Sequence, residues 1–268
     1  MAYSTISKPS LHFNTKLYTG NGSTQSITGV GFKPDWTWIK PRTGTYSHNL
    51  TDIVRGVGKG IFSDLLSVEY NYGTGTNGSV RTFDSDGFSL GSASQVNPNG
   101  VNIVSWNWLA GGSQGSSNTD GSINTTYTSV NTTAGFSISQ YSGTNGTGTI
   151  GHGLGVAPSM IIFKSLNNGN KNWVVYHKSL TNAGSIYFDQ NSASSTNYDY
   201  FADTSPTASV FTVKKDSSYD EVNNSGTNFI AYAFAEKKGY SKFGKYTGNG
   251  NADGTFIYTG FKPAFVIG

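Results

Sequence analysis

Tyr18-Thr19-Gly20-Asn21-Gly22 runs into Gly31-Phe32-Lys33-Pro34-Asp35 and then into the apolar stretch Trp36-Thr37-Trp38-Ile39. The block reads as a strand end, a glycine turn that accepts positive φ, and a second turn whose proline precedes a new strand. It returns almost unchanged at Tyr246-Thr247-Gly248-Asn249-Gly250, Gly260-Phe261-Lys262-Pro263-Ala264 and Phe265-Val266-Ile267. A looser copy stands at Tyr141-Ser142-Gly143-Thr144-Asn145-Gly146, Gly155-Val156-Ala157-Pro158 and Met160-Ile161-Ile162-Phe163. Proline follows the tyrosine by 16 residues in the first copy (34 − 18) and by 17 in the others (158 − 141 and 263 − 246). A chain built from copies of itself points to a binding or structural protein rather than to a single-pocket enzyme.

The repetition extends past this block. Phe88-Ser89-Leu90 lies as far beyond Tyr18 as Phe211-Thr212-Val213 lies beyond Tyr141. Asn102-Ile103-Val104-Ser105 matches Asn228-Phe229-Ile230-Ala231, with Gly100 and Gly226 in corresponding places. Units of this length are too long for a solenoid repeat and fit small domains. The expected organisation is beads on a string: a module over residues 1–112, a Ser/Thr/Asn/Gly-rich linker at 113–134, a second module at 135–242, and the opening of a third repeat at 243–268. Two strands cannot bury a face by themselves. Residues 243–268 are therefore expected to pair with another module or chain, or to open a domain that continues further, with the chain a piece of something longer.

Composition agrees with a β fold. The 268 residues include 35 Gly, 16 Tyr, 16 Phe and 5 Trp, and only 12% are charged. Turn formers, aromatics and β-branched runs with almost no helical periodicity predict an all-β chain of tandem antiparallel β-sandwich modules of jelly-roll, concanavalin-like type. One or two helical turns are expected over residues 48–54, and a short strand at Tyr127-Thr128-Ser129-Val130 inside the linker. Trp36 and Trp38, like Trp106 and Trp108, share a face by the two-residue period and read as core. Met160 to Phe163 is apolar without alternation, which predicts burial on both faces.

Several function classes find no support. A net charge of +3, scattered along the chain, marks no nucleic-acid surface, and the Lys214-Lys215 and Lys237-Lys238 doublets read as solvated turns. With no cysteine there is no disulfide, thiolate metal site or Cys nucleophile. No apolar leader follows Met1, and no run reaches the ~20 residues of a spanning helix, so no membrane insertion is expected. A leaderless, cysteine-free, repetitive β protein fits a virion component released by lysis.

Catalytic and cofactor motifs are absent as well. There is no Gly-x-Ser-x-Gly elbow. His12, His48, His152 and His177 lie outside metal-site spacing, so no metal or cofactor is implied. Asp84-Ser85-Asp86-Gly87 begins like a calcium loop, but its twelfth position is Gln95, and the second unit carries Lys214-Lys215-Asp216 near the equivalent place; an Asx turn is the better reading. Residues 56–60, Gly-Val-Gly-Lys-Gly, lack phosphate-loop spacing and read as a surface loop. Shallow sugar sites use aromatic faces flanked by Asn and Asp. The candidates are Tyr198 and Tyr200 in a polar loop, Trp173, and His177, which lies beside Tyr176.

The opening blocks, together with Phe83-Asp84-Ser85-Asp86-Gly87-Phe88, Trp106-Asn107-Trp108-Leu109-Ala110-Gly111-Gly112, Ala134-Gly135-Phe136, Gly151-His152-Gly153-Leu154-Gly155-Val156-Ala157-Pro158 and Trp173-Val174-Val175-Tyr176-His177-Lys178, resemble a family of bacteriophage virion proteins. These are common in marine and cyanobacterial phages and are described as tail-fibre-like, with concanavalin-type lectin sandwiches. The resemblance covers nearly the whole chain. It implies a structural protein of a tail fibre or other host-facing appendage, partnered by other virion proteins and a host-surface glycan or receptor, and forming a symmetric homo-oligomer, a trimer being favoured. It carries over no catalytic or ligand residues. The rivals are a capsid decoration or connector protein with no ligand, and a tailspike-type glycan depolymerase, which needs a carboxylate pair in a cleft. Exposed aromatic loops would favour adhesion, and a large apolar patch at 243–268 would favour docking.

Overall fold

The computed structural model describes residues 4–215 and 219–268; Asp216 of the calcium-loop comparison and the first three residues of the expected first module lie outside the described residues. The chain is all-β, with antiparallel pairing between its named strands and, among the described residues, a single 3-10 turn at Pro9–Leu11. The first large sheet orders its strands β1 (Phe13–Thr19), β9 (Asn102–Trp108), β3 (Trp36–Pro41), β4 (Asn49–Asp52), β5 (Lys59–Phe62) and β6 (Tyr70–Asn71). Against it lies a small sheet of β2 (Gln25–Thr28), β8 (Gly87–Leu90) and β7 (Val80–Asp84). The second large sheet runs β10 (Thr125–Asn131), β11 (Phe136–Ser142), β17 (Asn228–Phe234), β13 (Met160–Ser165), β14 (Val174–His177) and β15 (Ile186–Tyr187), and its small sheet pairs β12 (Thr147–Gly151) with β16 (Val210–Lys214). The orders β1-β9-β3-β4-β5 and β11-β17-β13-β14-β15 correspond strand for strand, so the sequence repeat is a repeat of topology.

The repeated block is held the same way twice. Tyr18 donates its hydroxyl to the Val96 carbonyl at 2.7 Å, and Tyr141 to the Val222 carbonyl at 2.7 Å. The asparagine after each valine secures the turn. Asn97 Oδ1 accepts from the Asn21 N–H at 2.9 Å, and Asn223 Oδ1 from the Thr144 N–H at 2.9 Å. Gly20 and Gly143 let this clasp approach, because a Cβ would stand 2.1 Å from the Pro98 carbonyl oxygen in one and 2.2 Å from that of Asn224 in the other.

The two modules are not beads on a string. Their large sheets face each other across a third core, in which Trp36 stacks on Tyr232 at 4.4 Å between ring centroids and lies 4.4 Å from Trp108 and 5.6 Å from Phe136. Aromatics of this size bury a large area per contact. Alternation along β3 sends Trp36 and Trp38 to this seam and Ile39 to the core of its own module. Residues 161–163 are buried on both faces for the same reason: Ile161 and Phe163 fill the second module, while Ile162 faces the seam.

Several polar groups at the seam are paired, although the indole N–H of Trp36 has no hydrogen-bond partner. Tyr232 donates its hydroxyl to Asp52 Oδ2 at 2.7 Å, and Arg55 binds the same oxygen at 2.5 Å and Glu69 Oε2 at 3.1 Å. Lys164, fully buried, donates to the carbonyls of Leu66 at 3.2 Å and Lys171 at 2.6 Å. Burial lowers its pKa to about 8, with the charges of Asp189 and Glu221 opposing.

Three local expectations are corrected. Residues 48–54 contain strand β4 rather than helical turns. Residues 56–60 lead into β5, with Gly58 pressed against Gly73, and do not form a free surface loop. The second half of the 113–134 linker is β10, at the edge of the second large sheet. Residues 243–268 contain no strand; Phe265 touches Phe13, Trp106 and Trp108, while Phe256 is 86% exposed.

Candidate functional site

Where the seam between the large sheets reaches the surface it opens into a cleft of about 820 Å³. The first module supplies Trp38 from β3, His48 from the approach to β4, and Ser63 and Asp64 from the end of β5. The second supplies Phe188, Asp189, Gln190 and Asn191, which follow β15. Trp38 donates its indole N–H to His48 Nδ1 at 2.9 Å, which places the neutral imidazole's proton on Nε2. Burial lowers the His48 pKa, with Asp64 opposing. The Phe188 ring stands edge-on to Trp38 at 5.5 Å.

Both carboxylates are fixed by backbone N–H groups. Asp64 Oδ1 accepts from His48 at 3.0 Å, and Asp189 Oδ1 accepts from Trp173 at 2.8 Å. Burial raises the Asp189 pKa against that hydrogen bond. Gln190 and Asn191 are exposed at the rim. An apolar wall beside carboxylates and primary amides offers apolar contact to the C–H face of a pyranose and acceptors and donors to its hydroxyls.

The four residues singled out from sequence do not converge on this cleft. Trp173 is fully buried and donates its indole N–H to the Phe62 carbonyl at 2.8 Å and the Leu65 carbonyl at 3.3 Å, so it locks the modules together and shows no face to solvent. Tyr200 is fully buried too, its hydroxyl donating to Glu221 Oε2 at 3.0 Å and sharing a 2.8 Å bond with Tyr187. Burial drives its pKa far upward. Tyr198 is half-buried, with its ring 3.8 Å from that of Tyr219. The polar composition of residues 196–200 concealed that this loop folds against β16, where the Lys214 N–H donates to the Tyr200 carbonyl at 2.7 Å and Lys214 pairs with Asp199 at 2.7 Å. His177 is half-buried, accepts from the Ser179 N–H at 3.1 Å and lies beside Phe243.

Sequence reasoning missed the cleft because its walls come from positions as far apart as Trp38 and Asn191. The local signal was an aromatic followed by three polar residues, Phe188-Asp189-Gln190-Asn191, directly after a short strand. His152 does what its turn suggested: Nδ1 accepts from the Leu154 N–H at 3.1 Å and Nε2 lies 3.2 Å from the Thr207 carbonyl. Asp86 does not act as the Asx-turn reading expected: its carboxylate reaches across to another loop and accepts from the Gly29 and Gly31 N–H groups at 2.9 and 2.7 Å.

The family model described as Domain of unknown function (DUF7483) matches residues 8–268. The chain belongs to the DUF7483 family. The DUF7483 match takes in both modules, the seam with its cleft, and the third opening block. No curated protein and no solved structure matches the chain.

Proposed function

We propose that this DUF7483 chain is a non-enzymatic structural protein of a phage virion, part of a tail fibre or other host-facing appendage, and that it contacts a host-surface glycan at the seam cleft. The observation that carries the reading is the cleft itself, with Trp38 and Phe188 beside the fixed carboxylates of Asp64 and Asp189 and the amides of Gln190 and Asn191. It is shallow, as suits a sugar at the end of a surface polymer. A symmetric homo-oligomer, a trimer by analogy with the phage proteins the chain resembles, would multiply weak sites into avidity.

A connector or spacer role is the second reading, favoured by the exposed apolar side chains of Phe256, Tyr258 and Val266. The cleft also holds two carboxylates, so the test must separate binding from cleavage. The full chain on a glycan array is expected to retain a restricted set of sugars and to lose them with Phe188→Ala combined with Gln190→Ala. No retained glycan would overturn attachment and leave the connector. Release of new reducing ends, abolished by Asp64→Asn or Asp189→Asn, would make the protein a depolymerase.

A further inference from the structure

The Val-Asn pair that clasps each opening turn is preceded by Gln95 in the first module and by Glu221 in the second. In the second module this side-chain acceptor is in use. Glu221 is buried, and its Oε2 accepts from the Tyr200 hydroxyl at 3.0 Å, with the Tyr187 hydroxyl 2.8 Å from that of Tyr200. In the first module the matching oxygen, Gln95 Oε1, is buried and has no hydrogen-bond partner. An acceptor shut away from water and left unpaired is destabilising, so it calls for a donor.

The modules differ at the place from which that donor comes. Each carries a Tyr-x-Tyr pair ahead of its small-sheet strand β8 or β16: Tyr70-Asn71-Tyr72 in the first, Tyr198-Asp199-Tyr200 in the second. Tyr200 is fully buried and reaches Glu221. Tyr72 is only half-buried and Tyr70 is 57% exposed, and their rings stand 4.7 Å apart beside a hollow of about 420 Å³. Gln95 lines the hollow with them, Asn77 and Ser94 are exposed at its rim, and the side chains around it are uncharged. The hollow shares no residue with the seam cleft. Alternation along β5 sends Ile61 to the seam and Phe62 to the hollow, on opposite faces of the sheet.

We propose that this hollow is a second saccharide site, built for one neutral pyranose unit. A sugar hydroxyl donates to Gln95 Oε1 as the Tyr200 hydroxyl donates to Glu221, the two being equivalent donors. Tyr70 and Tyr72 offer an aromatic wall to the C–H face of the ring. The Ser94 hydroxyl and the amide N–H groups of Asn77, whose Oδ1 accepts from Ser92 at 3.2 Å, serve the remaining hydroxyls. In the second module the protein's own tyrosine fills the position that the sugar takes in the first. The inference does not rest on the seam cleft.

The test titrates the full chain, labelled with nitrogen-15, with the methyl glycosides of glucose, galactose, mannose and N-acetylglucosamine, and follows side-chain amide signals. Saturable shifts at Gln95 and Asn77 are expected with at least one glycoside, at a roughly millimolar dissociation constant. Gln95→Leu and Tyr70→Ala should each weaken this binding at least about tenfold. Gln95→Leu should leave the melting temperature at or above that of the parent, because it removes an unpaired acceptor, whereas Glu221→Leu should lower it by unpairing Tyr200. Loss of binding in a stable Gln95→Leu chain therefore reports the site and not the fold. No shift at Gln95 with any of the four glycosides overturns the inference, as does binding that survives Gln95→Leu. Shifts confined to Gln190 and Asn191 would also overturn it, while leaving the seam cleft as the sugar site.

Discussion

Residues 18–22 and 246–250 are the same five amino acids, and they take different structures. At the first site Tyr18 and Thr19 end a strand paired along its whole length with β9, and the tyrosine hydroxyl is bound. At the second there is no strand, and the tyrosine is exposed. The turn is nevertheless alike in both, down to the φ of the glycine and the asparagine's bond to the residue two places on. The turn is therefore a local property of Gly-Asn-Gly, whereas the strand is a property of what lies beside it.

Equivalent substitutions in the copies test that distinction. The largest effect is expected at the residue after the proline turn. Trp36→Ala removes the ring at the centre of the seam and should cost about 3–5 kcal/mol in denaturant unfolding, with both modules weakened in one transition. Phe265→Ala, at the counterpart position, should cost about 1 kcal/mol, because its side chain is only half-buried. Equal costs would break the comparison.

The preceding position carries Asp35 in the first copy, Ser159 in the second and Ala264 in the third. Burial pushes the Asp35 pKa up to about 6, against the N–H groups of Gly112 and Ala110 and the charge of Lys33, and its Oδ1 has no hydrogen-bond partner. The folded value lies above the unfolded one. The contribution of Asp35 is therefore complete below about pH 4 and is lost as pH rises through about 6. Relative to Asp35→Asn, the native chain should lose about 1–3 kcal/mol between pH 4 and pH 7, measured as the difference between two stability–pH curves. Parallel curves would show that the carboxyl keeps an ordinary pKa.

The glycine of the turn comes next. Gly20→Ala and Gly143→Ala drive a methyl group into a backbone carbonyl and should each cost about 1–3 kcal/mol. Gly248→Ala should stay within about 0.5 kcal/mol of the parent, since nothing lies near it. The smallest effect is at the tyrosine hydroxyl: Tyr18→Phe and Tyr141→Phe each unpair a carbonyl and should cost about 1 kcal/mol, while Tyr246→Phe should leave the melting temperature unchanged.

Much of the architecture was legible because repetition and alternation are local. The duplicated opening block, the shared face of Trp36 and Trp38, and the two-sided burial of residues 161–163 follow from residue types and spacing. The seam was not legible. Alternation says that the two tryptophans point the same way, but not that a second sheet supplies Tyr232 and Phe136 to meet them. Strand β10 was legible only in part, as a short strand over residues 127–130 inside a polar stretch: Thr125, Thr128 and Ser129 are buried through hydroxyl pairs, Thr125 with Thr128 at 2.9 Å and Thr128 with Ser139 at 3.1 Å, and through the Ser129 hydroxyl's 2.6 Å bond to the Ser113 carbonyl. Composition reads such a stretch as linker, while the hydrogen bonds make it sheet. The cleft was out of reach for the same reason as the seam, since its two walls belong to different modules.

Amide hydrogen exchange on the full chain compares the three opening blocks directly. Amides of residues 15–19 and 137–142 are expected to exchange only with global unfolding, and those of residues 246–259 at close to unstructured rates. Comparable protection in all three blocks would contradict the account, because it would mean that the repeated sequence makes its own strands without the complement that β9 and β17 provide.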